Sequence, residues 1–186
     1  MSSTNRIRRL EVPWAQELHT ELCKWADSIK EQPNVIGRKF SITDVSEIFP
    51  QNIAQMLNRF DLGLDKIRGF VIPANVRRAI GPHKDTNTDE RCFALNVMLR
   101  GHLRVNIHED ADCMPVRSEQ PGGGISYIAT EPPSESMIVG AGDIFMMDTF
   151  YIHSADSLGK EQVLLASFVP SDQYSFQEAM TRVKLE

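Results

Sequence analysis

Apolar positions recur at helical spacing through the first third of the chain. Trp14, Leu18, Leu22, Trp25 and Ile29 fall at steps of four, four, three and four, one stripe on a helix opened by Pro13. Ile53, Met56, Leu57 and Phe60 form a second stripe, with Gly63 placed to cap its C-terminal end. From Lys66 the texture changes. KIRGFVIP, RCFALNVML, HLRVNIHE, GISYIAT, SMIVGAGDIFMMDT and QVLLASFVP are short β-rich runs separated by Gly, Pro, Asn and Asp turns. Many short strands with no helices between them predict an antiparallel sandwich or barrel. The closing SFQEAMTRVKLE carries a capping-box pair, Ser175 and Glu178, and a short stripe of Phe176, Met180 and Val183. The expectation is one domain: a helical flank over residues 1–65, a β core over 66–170 and a C-terminal helix over 171–186.

Composition narrows the classes of function. A chain of 186 residues, 41% hydrophobic, can bury a sizeable core. A formal charge of -5 and a pI near 5.6 argue against nucleic acid or an anionic membrane as partner. No apolar run reaches the length of a membrane span, and the basic MSSTNRIRRLEVPWAQ lacks the apolar segment of a signal peptide. Cys23, Cys92 and Cys113 are odd in number and lack CxxC spacing, so reduced thiols in a cytoplasmic compartment are expected. The glycines at 122–124 lack the Lys and Ser/Thr of a phosphate loop, and neither a serine nucleophile elbow nor HExxH occurs.

The chemistry concentrates in GPHKDTNTDERCFALNVMLRG, residues 81–101. Side chains at i and i+2 of extended chain share a face, so His83 and Asp85 can aim at one point. A third donor stands in GAGDIFMMDTFYIHSADSLGK, where His153 follows a Gly-rich turn and a strand, 68 residues after Asp85. His-x-Asp with a distant His is the pattern of a 2-His-1-carboxylate triad, which leaves positions open on non-haem Fe(II). Taken singly, His83 also reads as a loop histidine, Asp85 as a turn-former and His153 as a strand-end histidine. His102 and His108 read as solvent-face or loop residues, and His19 as exposed or half-buried. Asp143 shapes the turn after Gly142, while Asp148 reads equally as turn or site rim.

At PHKDT, the strand that follows it, and GDIFMMDTFYIHS, the sequence resembles the Fe(II)/2-oxoglutarate-dependent oxygenases, over residues 66–170. The aspartyl/asparaginyl hydroxylase and prolyl hydroxylase-like branches are the most similar. The resemblance implies a double-stranded β-helix (a cupin-like jelly roll, mainly β) with the N-terminal helices packed outside. It implies His83, Asp85 and His153 as ligands of an Fe(II) cofactor, with 2-oxoglutarate as cosubstrate and O2 as co-reactant. An amino-acid side chain, on a small molecule or a peptide, would be hydroxylated, with succinate and CO2 released. The other reading is a cupin-type metal-binding or small-ligand protein without oxygenase chemistry.

One stretch departs from the family. Many of its members carry a cation about ten residues after the late His, for the far carboxylate of 2-oxoglutarate; here Gln162 and Val163 stand there. A buried carboxylate without a cation is costly. Arg91 is the favoured substitute, with Arg100, Lys160 and Asn96 as further candidates. Arg91 and Arg100 are nine apart, so in an unbulged strand they face opposite sides.

Overall fold

The computed structural model describes residues 5–28, 39–42, 49–72, 78–85, 93–117, 125–170 and 174–183. Ten of its strands form two antiparallel sheets. The larger contains β1 (Ile7–Leu10), β2 (Lys39–Ile42), β3 (Leu64–Ile72), β5 (Phe93–Arg100), β10 (Ile144–Asp148) and β12 (Val163–Pro170), ordered β1-β10-β5-β12-β3-β2. The smaller contains β4 (Arg78–His83), β6 (His102–His108), β9 (Glu135–Gly140) and β11 (Ile152–Ser157), ordered β4-β11-β6-β9. A separate hairpin pairs β7 (Cys113–Arg117) with β8 (Ile125–Ala129). The helices are α1 (Ala15–Ser28), α2 (Gln51–Asn58) and α3 (Phe176–Arg182). This is a double-stranded β-helix with helices on one side.

Strand β5 explains the layering. Its FALNVML run is buried on both faces, which is why it reads as continuous apolar sequence. Phe93, Leu95, Val97 and Leu99 pack with Leu18, Leu22 and Trp25 of α1 and Ile53, Met56 and Leu57 of α2. Ala94 and Asn96 face the opposite way, into a cavity, and Met98 joins Val105, Phe145, Ala155 and Leu165 in a second core between the sheets. Each fully buried Leu or Phe contributes on the order of 1.5–3 kcal/mol. At its end β5 bulges: Leu165 pairs with Met98 but Leu164 with Arg100, leaving Leu99 as the extra residue. His19 Nε2 on α1 donates to the Leu99 carbonyl at 3.1 Å, satisfying a group the ladder gives up. Gly101 then turns the chain at φ 77°, where an added Cβ would lie 2.9 Å from Val163 Cγ2.

Both helical stripes pack on the sheet as expected, with Ile29 outside the described residues. The expected helical flank also supplies strands. β1 pairs with β10 at one edge of the larger sheet and β2 with β3 at the other. β4 is hidden in the sequence by Gly81-Pro82. It is an edge strand, where a proline removes no interior ladder bond. Helix α3 has its capping box: Glu178 N–H donates to Ser175 Oγ at 3.2 Å, and Ser175 N–H to Glu178 Oε2 at 2.8 Å.

Candidate metal centre

Edge strand β4 ends on His83, and Asp85 follows two residues later. On the neighbouring strand β11, His153 pairs in register with His83. The three side chains meet. One ligating atom from each lies within 4.8 Å of the other two. His83 Nε2 is 3.5 Å from Asp85 Oδ1, His153 Nε2 is 3.9 Å from Asp85 Oδ2, and the imidazole centroids are 4.2 Å apart. Donors bound to one ion at about 2.0–2.2 Å sit about 3 Å apart when adjacent, so binding draws these groups in only slightly.

Backbone carbonyls orient both rings. His83 Nδ1 donates to Gly81 O and His153 Nδ1 to Tyr151 O, each at 2.9 Å. A carbonyl only accepts, so Nδ1 is the donor in each ring and Nε2 is the nitrogen left facing Asp85. Asp85 and His153 are buried and His83 is half-buried. Two imidazoles and one carboxylate are the donor set that holds a divalent transition metal with positions left open.

Beside the triad lies a cavity of ≈ 40 Å³, whose walls include Asn96, Phe145, Thr149, Leu165 and Ser167. Among the described residues lining it there is no Lys or Arg. Of the sequence candidates for the cosubstrate, Asn96 is in the wall, buried, with Nδ2 donating to Ala94 O at 3.3 Å. Arg100 is not: past the bulge, its guanidinium pairs with Asp27 of α1 at 2.5 Å, outside the barrel. Lys160 is exposed in the turn after β11 and does not line the cavity. Arg91 lies outside the described residues. Thr149 and Ser167 escape sequence reasoning, although alternation along β12 from Leu165 points to Ser167.

Two acidic residues frame the turns around this end. Asp143 Oδ2 accepts from Gly140 N at 2.8 Å, where Gly142 has φ 91°. Asp148 Oδ1 accepts from Phe150 N at 3.1 Å, and burial pushes its carboxyl up to about 6, against the opposing pull of that bond and of Arg6. His102 is exposed as expected, but His108 is buried against Ser154.

No protein-family model matches the chain, and no curated protein matches it in sequence. Solved structures match its fold. The epimerase SnoN from nogalamycin biosynthesis, in complex with Fe3+, α-ketoglutarate and nogalamycin RO, has a TM-score of 0.55 and 15% identity. That match covers 89% of this chain and 78% of SnoN. E. coli ycfD has a TM-score of 0.50 at 13% identity, over 81% of this chain. The Schizosaccharomyces pombe Cnp3 cupin domain has a TM-score of 0.36 at 13% identity, over 57% of this chain. This chain spans 39% of ycfD and 52% of the Cnp3 structure. Among the described residues, no helix is long and apolar enough to cross a membrane.

Proposed function

We propose that the chain is a non-haem Fe(II)/2-oxoglutarate-dependent dioxygenase that hydroxylates an amino-acid side chain, free or peptidyl. The observation that carries this reading is the convergence of His83, Asp85 and His153 at the wall of a barrel cavity. SnoN, with a similar fold, was crystallised with Fe3+ and α-ketoglutarate, which supports the reading by analogy of fold. Iron held by the triad would supply dioxygen activation, with 2-oxoglutarate as the co-reductant. The reaction balances as substrate C–H, O2 and 2-oxoglutarate giving substrate C–OH, succinate and CO2.

The chain's own part is ligation, orientation and exclusion of water. The two Nδ1 bonds aim both imidazoles, leaving each Nε2 as the ligand nitrogen, and Asp85 would offset the charge of the ion. Asn96 and Ser167, register partners on β5 and β12, offer an amide and a hydroxyl to the cosubstrate. For the cation the sequence candidate is kept, Arg91, which lies outside the described residues. A guanidinium suits a carboxylate through two parallel hydrogen bonds. Cys23 and Cys113 are free thiols, in keeping with a cytoplasmic site of action.

The test is anaerobic addition of Fe(II) and then 2-oxoglutarate to the purified protein. The expected result is the weak visible charge-transfer band of the chelated complex, followed by succinate formation on admitting air. Iron binding with neither band nor succinate would reject the dioxygenase. That outcome is the second reading, a cupin-type metal-binding protein, which the small cavity without a described cation favours.

A further inference from the structure

The strands that hold the metal ligands have a second side. Consecutive residues face opposite ways: His83 toward the barrel cavity and Pro82 away from it, with Ser154 following His153 at the boundary. On the outer face of the smaller sheet is a groove of ≈ 510 Å³, walled by Ala129 at the end of β8 and by Glu131 and Pro133 just after it. That volume is in the range of small-molecule sites.

Its floor is polar and buried. Asn106, His108 and Ser154 are 3%, 5% and 8% exposed. Asn106 Nδ2 donates to Ser154 Oγ at 3.3 Å and to Asp156 Oδ2 at 3.1 Å, while Ser136 Oγ donates to Asn106 Oδ1 at 2.8 Å. His108 Nε2 and Ser154 Oγ are 2.9 Å apart. The amide, imidazole and hydroxyls bond to one another, so the floor is a fixed polar surface under the groove. The rim is charged in both signs. Arg104 and Asp156 are register partners on β6 and β11, and Glu131 adds a second carboxylate from the opposite wall. No ion pair engages Arg104, Glu131 or Asp156 with another described residue.

We propose that this groove is a second ligand site, for a free α-amino acid with a polar side chain. Arg104 and Asp156 sit side by side, about 5 Å apart at Cα. That spacing suits a head group whose carboxylate and ammonium share one carbon. The carboxylate meets Arg104 and the ammonium meets Asp156 and Glu131. The side chain runs along β6 over Asn106, Ser136 and Ser154, whose amide and hydroxyls accept and donate. A dicarboxylate would face two like charges here, and a diamine the guanidinium.

The site is separate from the metal centre, so its test uses the protein without iron or 2-oxoglutarate. L-Glutamine is titrated while backbone amide resonances are followed. Saturable shifts are expected at Arg104, Asn106, Ala129, Ser136 and Asp156. N-acetyl-L-glutamine and L-glutaminamide, which each lack one charge of the head group, should bind about tenfold more weakly. Arg104→Ala and Glu131→Ala, both at exposed positions, should weaken L-glutamine by a similar factor with the fold unchanged. Shifts confined to Ala94, Asn96 and Ser167, equal binding of the singly charged analogues, or no saturable shift would each overturn the proposal.

Discussion

Replacing Asp148 by Asn should make the protein more stable at neutral pH and change its stability little near pH 4. Asp148 is 8% exposed at the end of β10, and burial holds its carboxyl at about 6 against an ordinary value of 3.8. Between those two values the folded chain keeps a proton that the unfolded chain has released. Stability therefore falls as pH rises through this window, and the loss is complete above pH 6. The size follows from the difference: 6 less 3.8 is about 2.2 units, or about 3 kcal/mol at 1.36 kcal/mol per unit. Asparagine carries no charge to desolvate, and its Oδ1 can still accept from the Phe150 amide that Asp148 holds at 3.1 Å. The turn that leads to Tyr151 O, the acceptor for His153 Nδ1, is thereby kept. Urea unfolding of both proteins at several pH values between 4 and 8, in the presence of a chelator, measures the effect. The curve of the Asp148→Asn variant should separate upward from the wild-type curve as pH rises, by about 3 kcal/mol. Parallel curves would mean that Asp148 ionises as freely in the folded chain as in the unfolded one, and would refute the reasoning.

Four further outcomes are expected. His153→Ala and Asp85→Ala should each lower Fe(II) affinity more than about tenfold in anaerobic titration while far-ultraviolet circular dichroism stays β-rich; wild-type affinity in either variant removes that residue from the centre. Arg91→Leu should weaken 2-oxoglutarate binding by about 1.5–3 kcal/mol with iron binding kept. Arg100→Leu should leave cosubstrate affinity unchanged and alter stability by no more than about 1 kcal/mol through the lost Asp27 pair, so a loss of cosubstrate in this variant alone would reverse the assignment. Ser175→Ala should cost about 1 kcal/mol, read as a lower urea midpoint at unchanged slope, because the Glu178 amide loses its cap.

The parts legible in the sequence are those that repeat at one period or sit close in the chain. The stripe from Trp14 to Trp25 shows its buried face directly, and His83 and Asp85 need only a period of two. His153 joins them through order and strand placement, and the two chain segments meet where β4 and β11 pair. What escapes depends on context. β1 is four residues long, and its two central arginines are exposed, so it has no apolar alternation to read. His108 reads as a surface residue because no local pattern reveals a covering segment over the outer face of β6. Arg100 stands outside the cavity wall because one bulged residue, Leu99, changes the direction of the side chain after it. A bulge leaves almost no mark in the sequence.

The missing cation shows the limit most clearly. Counting along the chain from His153 reaches Gln162 and Val163. In the fold, the described β12 residues lining the cavity are Leu165 and Ser167, an apolar side chain and a hydroxyl. A dicarboxylate with one end at the metal would leave its other end beside neutral groups, Asn96 and Ser167, at a cost no neutral hydrogen bond offsets. Sheet register brings Asn96 of β5 beside Ser167 of β12, 71 residues apart in the chain, and no count along one segment reaches that pair. The described lining holds no Lys or Arg, so a cosubstrate carboxylate would need its cation from elsewhere in the chain. Arg91, two residues before β5, is the candidate, and the Arg91→Leu titration tests it.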